Sequence, residues 1–345
     1  MRIALDAMGG DHAPRNMIAG AQLAMAELPR IDTLFLVGDE SRIKSEMQAL
    51  GFRDPRIEIV HTTEVVDMHD SAVKAIRQKK NSSISVATDL VKQGRAQAVV
   101  SAGHTGAAVA AATVKLRTLR GIERAAIGTP FPNLHGTCLL IDAGASVDSR
   151  PIHLFQQAVM GSVYMKHLFG IKDPIIGLMS NGEEEGKGTE VTREVFDMLR
   201  NAPGLNFRGN IEGRDLANAD VHVAVCDGFV GNILLKGSEG IARAMMHLLK
   251  EAFTASLPRK ILAGLLKPAM KSALHKMNYE NYGGSPLLGV NGVCIIAHGS
   301  SSPLAMKNAL RVATENIQHA VSSNIEERIE FCRPSPANAE AASRP

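Results

Sequence analysis

The sequence has no tryptophan, and aromatic residues make up only 4 % of its 345 positions. Proteins that bind single-stranded nucleic acid without sequence preference stack the bases on aromatic side chains, so this scarcity disfavours that class. Lysine and arginine number 38 against 35 aspartate and glutamate residues, an excess too small to attract nucleic acid over the whole surface. We therefore expect no nucleic-acid partner.

Cysteines and long apolar runs are scarce as well. No Cys-x-x-Cys pair occurs among the four cysteines, which are Cys138, Cys226, Cys294 and Cys332. Their spacing predicts reduced core thiols and disfavours a zinc site. The chain opens directly into the short apolar run Ile3–Ala7, without a stretch long enough for a signal peptide or a membrane span. These features predict a cytoplasmic protein.

Short apolar runs alternate with longer helical patterns along most of the chain. Such alternation is typical of βα units that form a mostly parallel sheet covered on both faces. We expect a single α/β unit over residues 1–332, with two lobes as an open alternative, and a disordered tail rich in proline, alanine and serine over 333–345. The predicted strands are Ile3–Ala7, Leu34–Val37, Ile57–Val60, Ala98–Ser101, Cys138–Ile141, Ile175–Ser180, Val221–Cys226 and Val293–Ala297.

Six of these strands end in a glycine next to a polar residue. One such turn is weak evidence, because many strand-to-helix connections need a residue that tolerates positive φ. Ligands of open α/β sheets bind outside the carboxyl ends of the strands, and we expect all six turns to face the same side. Helix N-termini that follow such turns suit a phosphate group. The six turns are Asp6–Asp11, Ser101–Gly106, Asp142–Ala145, Asn181–Glu183, Cys226–Gly228 and Ala297–Ser300.

Several common active-site motifs are missing. Neither a P-loop nor a G-x-G-x-x-G fingerprint follows a strand, which indicates an anion smaller than a nucleotide. No G-x-S-x-G elbow supports a Ser-His-Asp hydrolase, and Cys226 is disfavoured as an acyl-carrying nucleophile. No cluster of aspartates at helical spacing supports a metal- and NAD-dependent decarboxylating dehydrogenase.

Lys187 lies between two glycines, just before a helix predicted to start near Thr189. A flexible cation at this position could reach an oxyanion. The alternative is a solvated loop in which Glu184 or Glu185 pairs with Lys187.

Two further strand ends carry candidate catalytic groups. Asp227 could orient a donor or accept a proton, or it could simply cap the next helix, which contains Lys236. His298 is followed by a glycine and three serines, a combination that suits a phosphate or a leaving group. A capping serine cluster with an incidental histidine is the alternative.

The opening segment Arg2–Pro14 resembles the start of the acyl-carrier-protein:phosphate acyltransferases of bacterial phospholipid synthesis. The likeness continues in order over residues 1 to about 320, which is far more specific than any single motif. At two positions, His104 and Ser146, the family pattern leads us to expect asparagine, so the resemblance supports phosphate binding there through the backbone rather than through the side chains. The other matching blocks are Ser101–Ala107, Glu183–Gly188, Cys226–Asn232, Asn281–Gly289 and Ala297–Ser301.

The resemblance implies transfer of a fatty acyl group from acyl carrier protein to inorganic phosphate, giving acyl phosphate. It also implies a mostly parallel, Rossmann-like three-layer α/β fold, similar to phosphotransacetylase and isocitrate-type dehydrogenases, in a homodimer. Because phosphate is already a nucleophile, the enzyme mainly has to position it and stabilise the thioester oxyanion, and no metal or cofactor is expected. The expected catalytic residues are Lys187, Asp227, Asn232 and His298, and the expected phosphate- or substrate-binding residues are Asp6, Gly9, Gly10, Gly103, His104, Thr105, Gly106, Asn181, Lys236 and Ser300.

Residues 250–277 are predicted to form a protruding basic amphipathic helical hairpin after a long helix over Gly231–Phe253. Between Lys250 and Lys276 the only acidic residue is Glu251, so the segment suits an anionic membrane surface or an acidic carrier protein. The alternative is a hairpin packed on itself or across a dimer. The resemblance favours a peripheral contact with the inner face of the membrane, near a membrane acyltransferase that receives the product. The expected contact residues are Arg259, Lys260, Leu262, Leu265, Leu266, Lys267 and Lys271.

Two rival functions remain open. A short-chain phosphate acetyl- or butyryltransferase that uses coenzyme A thioesters would share the sheet and the turns, but it leaves the basic hairpin unexplained. A non-catalytic sensor of a phosphorylated ligand, docked on membranes through residues 257–271, would bind phosphate without forming product.

Overall fold

A computed structural model describes residues 1–134, 136–217, 221–275 and 279–332. These residues form one mixed sheet with helices on both faces. The strands are β1 (Arg2–Asp6), β2 (Thr33–Gly38), β3 (Ile57–His61), β4 (Ala98–Ser101), β5 (Ala126–Pro132), β6 (Thr137–Ile141), β7 (Ile175–Met179), β8 (Asn206–Ile211), β9 (Val223–Val225), β10 (Ser285–Leu288) and β11 (Val293–Ile296). The helices are α1 (Arg15–Glu27), α2 (Glu40–Ala49), α3 (Ala72–Gln78), α4 (Ser83–Lys92), α5 (Thr105–Lys115), α6 (Pro151–Leu168), α7 (Glu190–Arg200), α8 (Gly228–Thr254), α9 (Leu257–His275), α10 (Pro303–Gln318) and α11 (Val321–Cys332).

The strand order is β3-β2-β1-β4-β11-β10-β5-β6-β9-β7-β8. Strands β3, β2, β1, β4 and β11 are parallel to one another, as are β6, β9, β7 and β8. The prediction of a mostly parallel sheet covered by helices is therefore confirmed. Between the two sets, the pairs β11–β10, β10–β5 and β5–β6 are antiparallel.

Three consecutive reversals make the two parallel sets run in opposite directions. The prediction that all six glycine turns face the same side, at one common end of the sheet, is therefore wrong. The turns after β1, β4 and β11 belong to one set, which we call the first half, and the turns after β6, β7 and β9 belong to the other, the second half. The reversal is caused by β5 and β10, two strands that the apolar runs do not predict.

Strands β5, β8 and β10 escape sequence prediction for local reasons. Pro130 and Pro132 lie in β5 and Pro286 lies in β10, and proline normally argues against a sheet interior because it cannot donate to the ladder. In β8, Gly209 has a φ of +117° where the pairing with β7 shifts register. This bulge breaks the regular alternation that signals a strand.

Apolar side chains fill both faces of the sheet. In the first half, α1 and α10 pack on one face and α4 and α5 on the other, while α6, α7 and α11 cover the second half. In α5 the small side chains of Ala107, Ala108 and 110–112 are buried, so this helix packs closely on the sheet. All four cysteines are buried and free, which confirms the predicted core thiols.

Helices α8 and α9 form a hairpin that leaves the body of the protein. Its bounds differ from the predicted 250–277, because the long helix α8 is itself one arm and α9 is the other. Of the 27 residues of α8, only Gly228 and Gly231 are buried. Leu262, Leu265 and Leu266 of α9 are exposed, as are its cations Arg259, Lys260 and Lys267. The side chain of Lys271, residues 276 and 277 of the predicted hairpin, and the predicted tail 333–345 lie outside the described part of the chain. None of the described helices is both long enough and apolar enough to span a bilayer.

Candidate active site

Three glycine turns, which follow β1, β4 and β11, meet at the end of the first half. A Cβ atom on Gly9 would lie 2.7 Å from the backbone nitrogen of Gly103, so only glycine fits there. Gly10 has a φ of +108°, and a Cβ atom on it would lie 3.0 Å from the carbonyl oxygen of Gly299. The N–H of Asp11 donates to the same oxygen over 2.8 Å. These three turns therefore converge, as the sequence predicts.

Asp6 lies buried beneath these turns. Its carboxylate accepts a hydrogen bond of 2.7 Å from Ser101 Oγ and one of 3.2 Å from the N–H of Met8. Ser101 Oγ in turn accepts from the N–H of Gly103 over 3.1 Å. Burial raises the pKa of Asp6, and hydrogen bonds from Ser83 and Ser101 oppose that rise. In the structure Asp6 therefore supports the turns through hydrogen bonds from below. A direct contact between Asp6 and phosphate stays a prediction.

His104 caps the N-terminus of α5. Its Nδ1 atom accepts a hydrogen bond of 3.2 Å from the N–H of Ala107, a role that an asparagine side chain also fills well. Because a backbone N–H only donates, the proton of the neutral imidazole lies on Nε2. Within the described residues, the N–H groups of Thr105 and Gly106 in the first helical turn have no acceptor. This helix end therefore presents two free backbone donors.

His298 extends the set of donors on the neighbouring turn. Its Nδ1 atom accepts from the N–H of Ser300 over 3.2 Å and lies 2.8 Å from Ser300 Oγ. The same donor argument puts the proton of the neutral ring on Nε2. Both residues are exposed, so a ligand can reach them. The first half therefore combines free amides with two imidazoles whose Nε2–H groups can donate to an anion.

The second half has a different chemistry at the start of α8. Asp227 caps this helix by accepting from the N–H of Val230 over 2.9 Å, which bears out the capping alternative. Asn232 is exposed and lies against Gly144: a Cβ atom added to Gly144 would be 3.3 Å from the Cβ atom of Asn232. Lys236 is exposed one turn further along.

The loop that carries Lys187 is held by one of its own side chains and by one from β8. Asn181 Oδ1 accepts from the N–H of Gly188 over 2.9 Å, and Asn210 donates to the carbonyl oxygen of Glu184 over 2.8 Å. Within the described residues, Lys187 is exposed and makes no ion pair, so the predicted alternative of a pair with Glu184 or Glu185 is wrong. Glu183 pairs with Arg214 over 3.3 Å and Glu185 with Arg200 over 3.0 Å.

The two halves share a border, although their strands run in opposite directions. Ala143, Ala145 and Leu235 of the second half pack on the same hydrophobic cluster as Ala107 and Ala108 at the start of α5. No hydrogen bond or ion pair between described side chains joins Lys187 or Asp227 to the first half. The structure therefore brings together the predicted residues of the first half directly. Through this cluster the start of α8 borders on them, whereas no described residue of the loop of Lys187 belongs to it.

Sequence reasoning missed one prominent side chain of the second half. Asp142 directly follows β6, much as Asp6 ends β1, and it is completely buried. An aspartate at the end of an apolar run, with a glycine two or three residues later, is a sequence signal that could have been used at both positions. The described residues include no group of three or more histidine, cysteine, aspartate or glutamate side chains placed to hold a metal ion.

Comparison with known proteins decides the family. A family model described as fatty acid synthesis protein matches residues 1–324. A phosphate acyltransferase of Pelotomaculum thermopropionicum is 50 % identical over 333 residues, which are 96 % of this chain and 95 % of the relative. The chain belongs to the phosphate acyltransferase family. A further member, from Akkermansia muciniphila, is 48 % identical over 334 residues, 95 % of this chain and 96 % of the relative.

Membership of this family makes the chain an acyltransferase, as the resemblance implies, and the description of the family model associates it with fatty acid synthesis. The fold is also that of two phosphotransacetylases. The one from Streptococcus pyogenes is 19 % identical, with a TM-score of 0.59 over 94 % of both chains. The one from Staphylococcus aureus is 16 % identical, with a TM-score of 0.58 over 92 % of this chain and 94 % of the other. At these identities the likeness concerns the fold alone, and it confirms the predicted similarity to phosphotransacetylase.

Proposed function

We propose that this phosphate acyltransferase transfers a fatty acyl group from acyl carrier protein to inorganic phosphate. The observation that carries the proposal is the group of donors in the first half. These donors are the free N–H groups of Thr105 and Gly106 and the Nε2–H groups of His104 and His298, which belong to the turns after the neighbouring strands β4 and β11. A helix N-terminus of this kind suits a phosphate.

The chemistry requires little beyond positioning. An oxygen of hydrogen phosphate forms a bond to the thioester carbonyl carbon, the carbon–sulfur bond breaks, and the thiolate takes the proton that the phosphate loses. The products are acyl phosphate and the free carrier thiol. Backbone and imidazole donors hold the phosphate, and a cation stabilises the oxyanion that develops on the carbonyl.

We assign the remaining predicted residues by their positions. Lys187 has no ion pair within the described residues and a flexible stem, which suits an electrostatic role at the oxyanion. Asp227 and Asn232 lie on the first turns of α8 and would orient the thioester or handle the proton. Lys236 and the amide of Asn181 would contact substrate from the rim of the same region.

We further infer that the hairpin serves a membrane surface and the acidic carrier protein, and that the protein is a homodimer. Support comes from exposed leucines and cations on α9, which favour an anionic surface. A line of exposed apolar side chains on α8 favours association with a second copy; it consists of Ile241, Met245, Met246, Leu248 and Leu249. Sedimentation of the purified protein would report the dimer.

The decisive experiment traps the product. Purified protein is incubated with long-chain acyl carrier protein and phosphate, and acyl phosphate is captured with hydroxylamine as the hydroxamate. The proposal expects hydroxamate that depends on phosphate; its absence would contradict the enzyme function and favour a phosphate-binding sensor. A parallel reaction with short-chain coenzyme A thioesters tests the rival transferase, which expects faster turnover on those substrates.

A further inference from the structure

Asp142 is surrounded by hydrogen-bond donors only. Its Oδ1 atom accepts from the N–H groups of Ile127, Gly144 and Ala145 over 3.0, 3.0 and 2.8 Å. Its Oδ2 atom accepts from the N–H of Ser146 over 2.9 Å and from Ser146 Oγ over 3.3 Å. Five donors and no acceptor are the environment that an ionised carboxylate satisfies. Four of the five are backbone N–H groups, the kind of donor that elsewhere binds free anions.

The loop that folds around this carboxylate is packed against the start of α8. A Cβ atom on Gly231 would lie 2.0 Å from the carbonyl oxygen of Asp142, and one on Gly228 would lie 2.2 Å from that of Ser146. Cys226 Sγ donates to the carbonyl oxygen of Asp142 over 3.7 Å. The first turn of α8 can therefore shift only if the loop from Asp142 to Ser146 moves.

The two halves use their strand-end amides differently. In the first half, the N–H groups of Thr105 and Gly106 have no acceptor within the described residues and remain available to a ligand. In the second half, the corresponding donors of Gly144, Ala145 and Ser146 are already taken by Asp142. Free backbone donors are therefore available to phosphate in the first half, whereas those of this loop in the second half are occupied.

We propose that Asp142 is a positioning residue whose carboxylate acts as a built-in anion, filling the amide cradle of the second half and fixing the first turn of α8. Through this turn it sets the positions of Asp227 and Asn232. The link to turnover rests on the proposed function, whereas the structural part of the inference does not.

The most selective variant is Asp142→Asn. Its amide oxygen can still accept from the N–H groups on the Oδ1 side, but its NH₂ group would face the N–H of Ser146, donor against donor. The variant therefore releases the end of the loop that touches Gly228, while the volume of the side chain at position 142 stays nearly the same. Asp148→Asn is the matched control, since Asp148 is exposed on the same loop and loses the same charge.

Two measurements on Asp142→Asn do not depend on activity. Amide hydrogen exchange of residues 228–231 should become faster, and Cys226 should react at least about tenfold faster with a thiol reagent because its cover is loosened. Cys294, which is buried in β11 away from the loop, should stay as protected as in the wild type. Wild-type exchange and wild-type Cys226 reactivity in this variant would overturn the proposal.

A third measurement tests the built-in anion itself. Asp142→Ala leaves a space facing four N–H groups, and formate should bind there and raise the melting temperature of this variant. Wild type and Asp142→Asn, in which the space is filled, should not respond to formate. A well-folded Asp142→Ala protein that formate does not stabilise would contradict the inference; if this variant does not fold, the asparagine variant decides.

Kinetics complete the test. Asp142→Asn should lower kcat by about tenfold or more, because displaced catalytic groups lose their alignment, while the KM for phosphate changes less than about twofold. An equal effect on both would indicate general loosening and sink the positioning role. If even the wild type forms no acyl phosphate, the proposed function fails, and hydrogen exchange and formate binding still decide the role of Asp142.

Discussion

At the scale of single residues, Lys187 gives the most direct test of the proposed chemistry. Replacing it with alanine should lower phosphate-dependent turnover by at least about tenfold, since lost oxyanion donors typically cost about 10²–10³ in rate. The side chain is exposed and makes no ion pair in the described part of the chain, so the melting temperature should stay unchanged. Lys172→Ala, at another exposed lysine, is the control, and near-normal turnover of Lys187→Ala would remove Lys187 from the mechanism.

Two glycines of α8 make a matched pair for stability. A Cβ atom on Gly231 would meet the carbonyl oxygen of Asp142 at 2.0 Å, whereas a Cβ atom on Gly237 would meet nothing within 4 Å. We expect Gly231→Ala to lower the free energy of unfolding by about 1–3 kcal/mol through overpacking. Gly237→Ala should raise it by about 0.5–1 kcal/mol, because alanine restricts the unfolded chain more than glycine does. Urea unfolding measures both, and equal effects would show that the close approach at Gly231 is not rigid.

At the scale of elements, the sequence predicts strands where apolar residues form an uninterrupted run. All eight predicted strands are present, although β9 is shorter than the predicted run Val221–Cys226. Strands with an internal proline or a bulge are missed, because their pairing depends on neighbours that only the fold provides. The same limit applies to Asp142, whose importance comes from donors such as the N–H of Ile127, fifteen residues away in the chain.

The hairpin of α8 and α9 carries a prediction at this scale. Replacing Leu262 and Leu265 by glutamate should reduce binding to vesicles of anionic lipid at least about tenfold, since each buried leucine contributes about 1.5–3 kcal/mol. The kcat at saturating acyl carrier protein should remain, because both side chains are on α9, outside the strand-end turns. The KM for the acidic carrier protein should rise, since the variant adds two negative charges to its proposed contact surface. Leu23→Glu with Leu304→Glu, at two partly exposed leucines of the body, adds the same charge elsewhere and should keep vesicle binding. If the hairpin variant bound vesicles as well as the wild type, the hairpin would have a packing role instead.

At the scale of the whole molecule, composition and alternation predict the α/β class but not the direction of the second half. The apolar runs are equally compatible with strands that all run the same way. Only the antiparallel pairs made by β5 and β10 reverse the second half, and these two strands contain the prolines that conceal them. The site in the first half could therefore be predicted as one cluster, whereas its relation to Lys187 and Asp227 could not.

Three histidines of the second half contribute to the response of the protein's stability to acid. Burial lowers the pKa of His222, whose Nδ1 accepts a 3.0 Å hydrogen bond from the N–H of Ile175. Burial likewise lowers the pKa of His153 and His167, with nearby cations adding to the effect. A histidine with a depressed pKa in the folded state binds fewer protons than in the unfolded chain. Its contribution to stability is therefore complete above about pH 6.5 and is lost as the pH falls through the folded pKa.

We accordingly expect the free energy of unfolding to fall between pH 7.5 and pH 5. In His222→Asn the amide oxygen can still accept from the N–H of Ile175 but has no charge to gain, so the fall should be smaller than in the wild type. Urea titrations at the two pH values measure the fall in the free energy of unfolding for each protein. Groups that titrate alike in both proteins cancel when the two falls are subtracted. An identical fall in the variant would mean that His222 can protonate in the folded protein without cost, which the hydrogen bond accepted by its Nδ1 atom argues against.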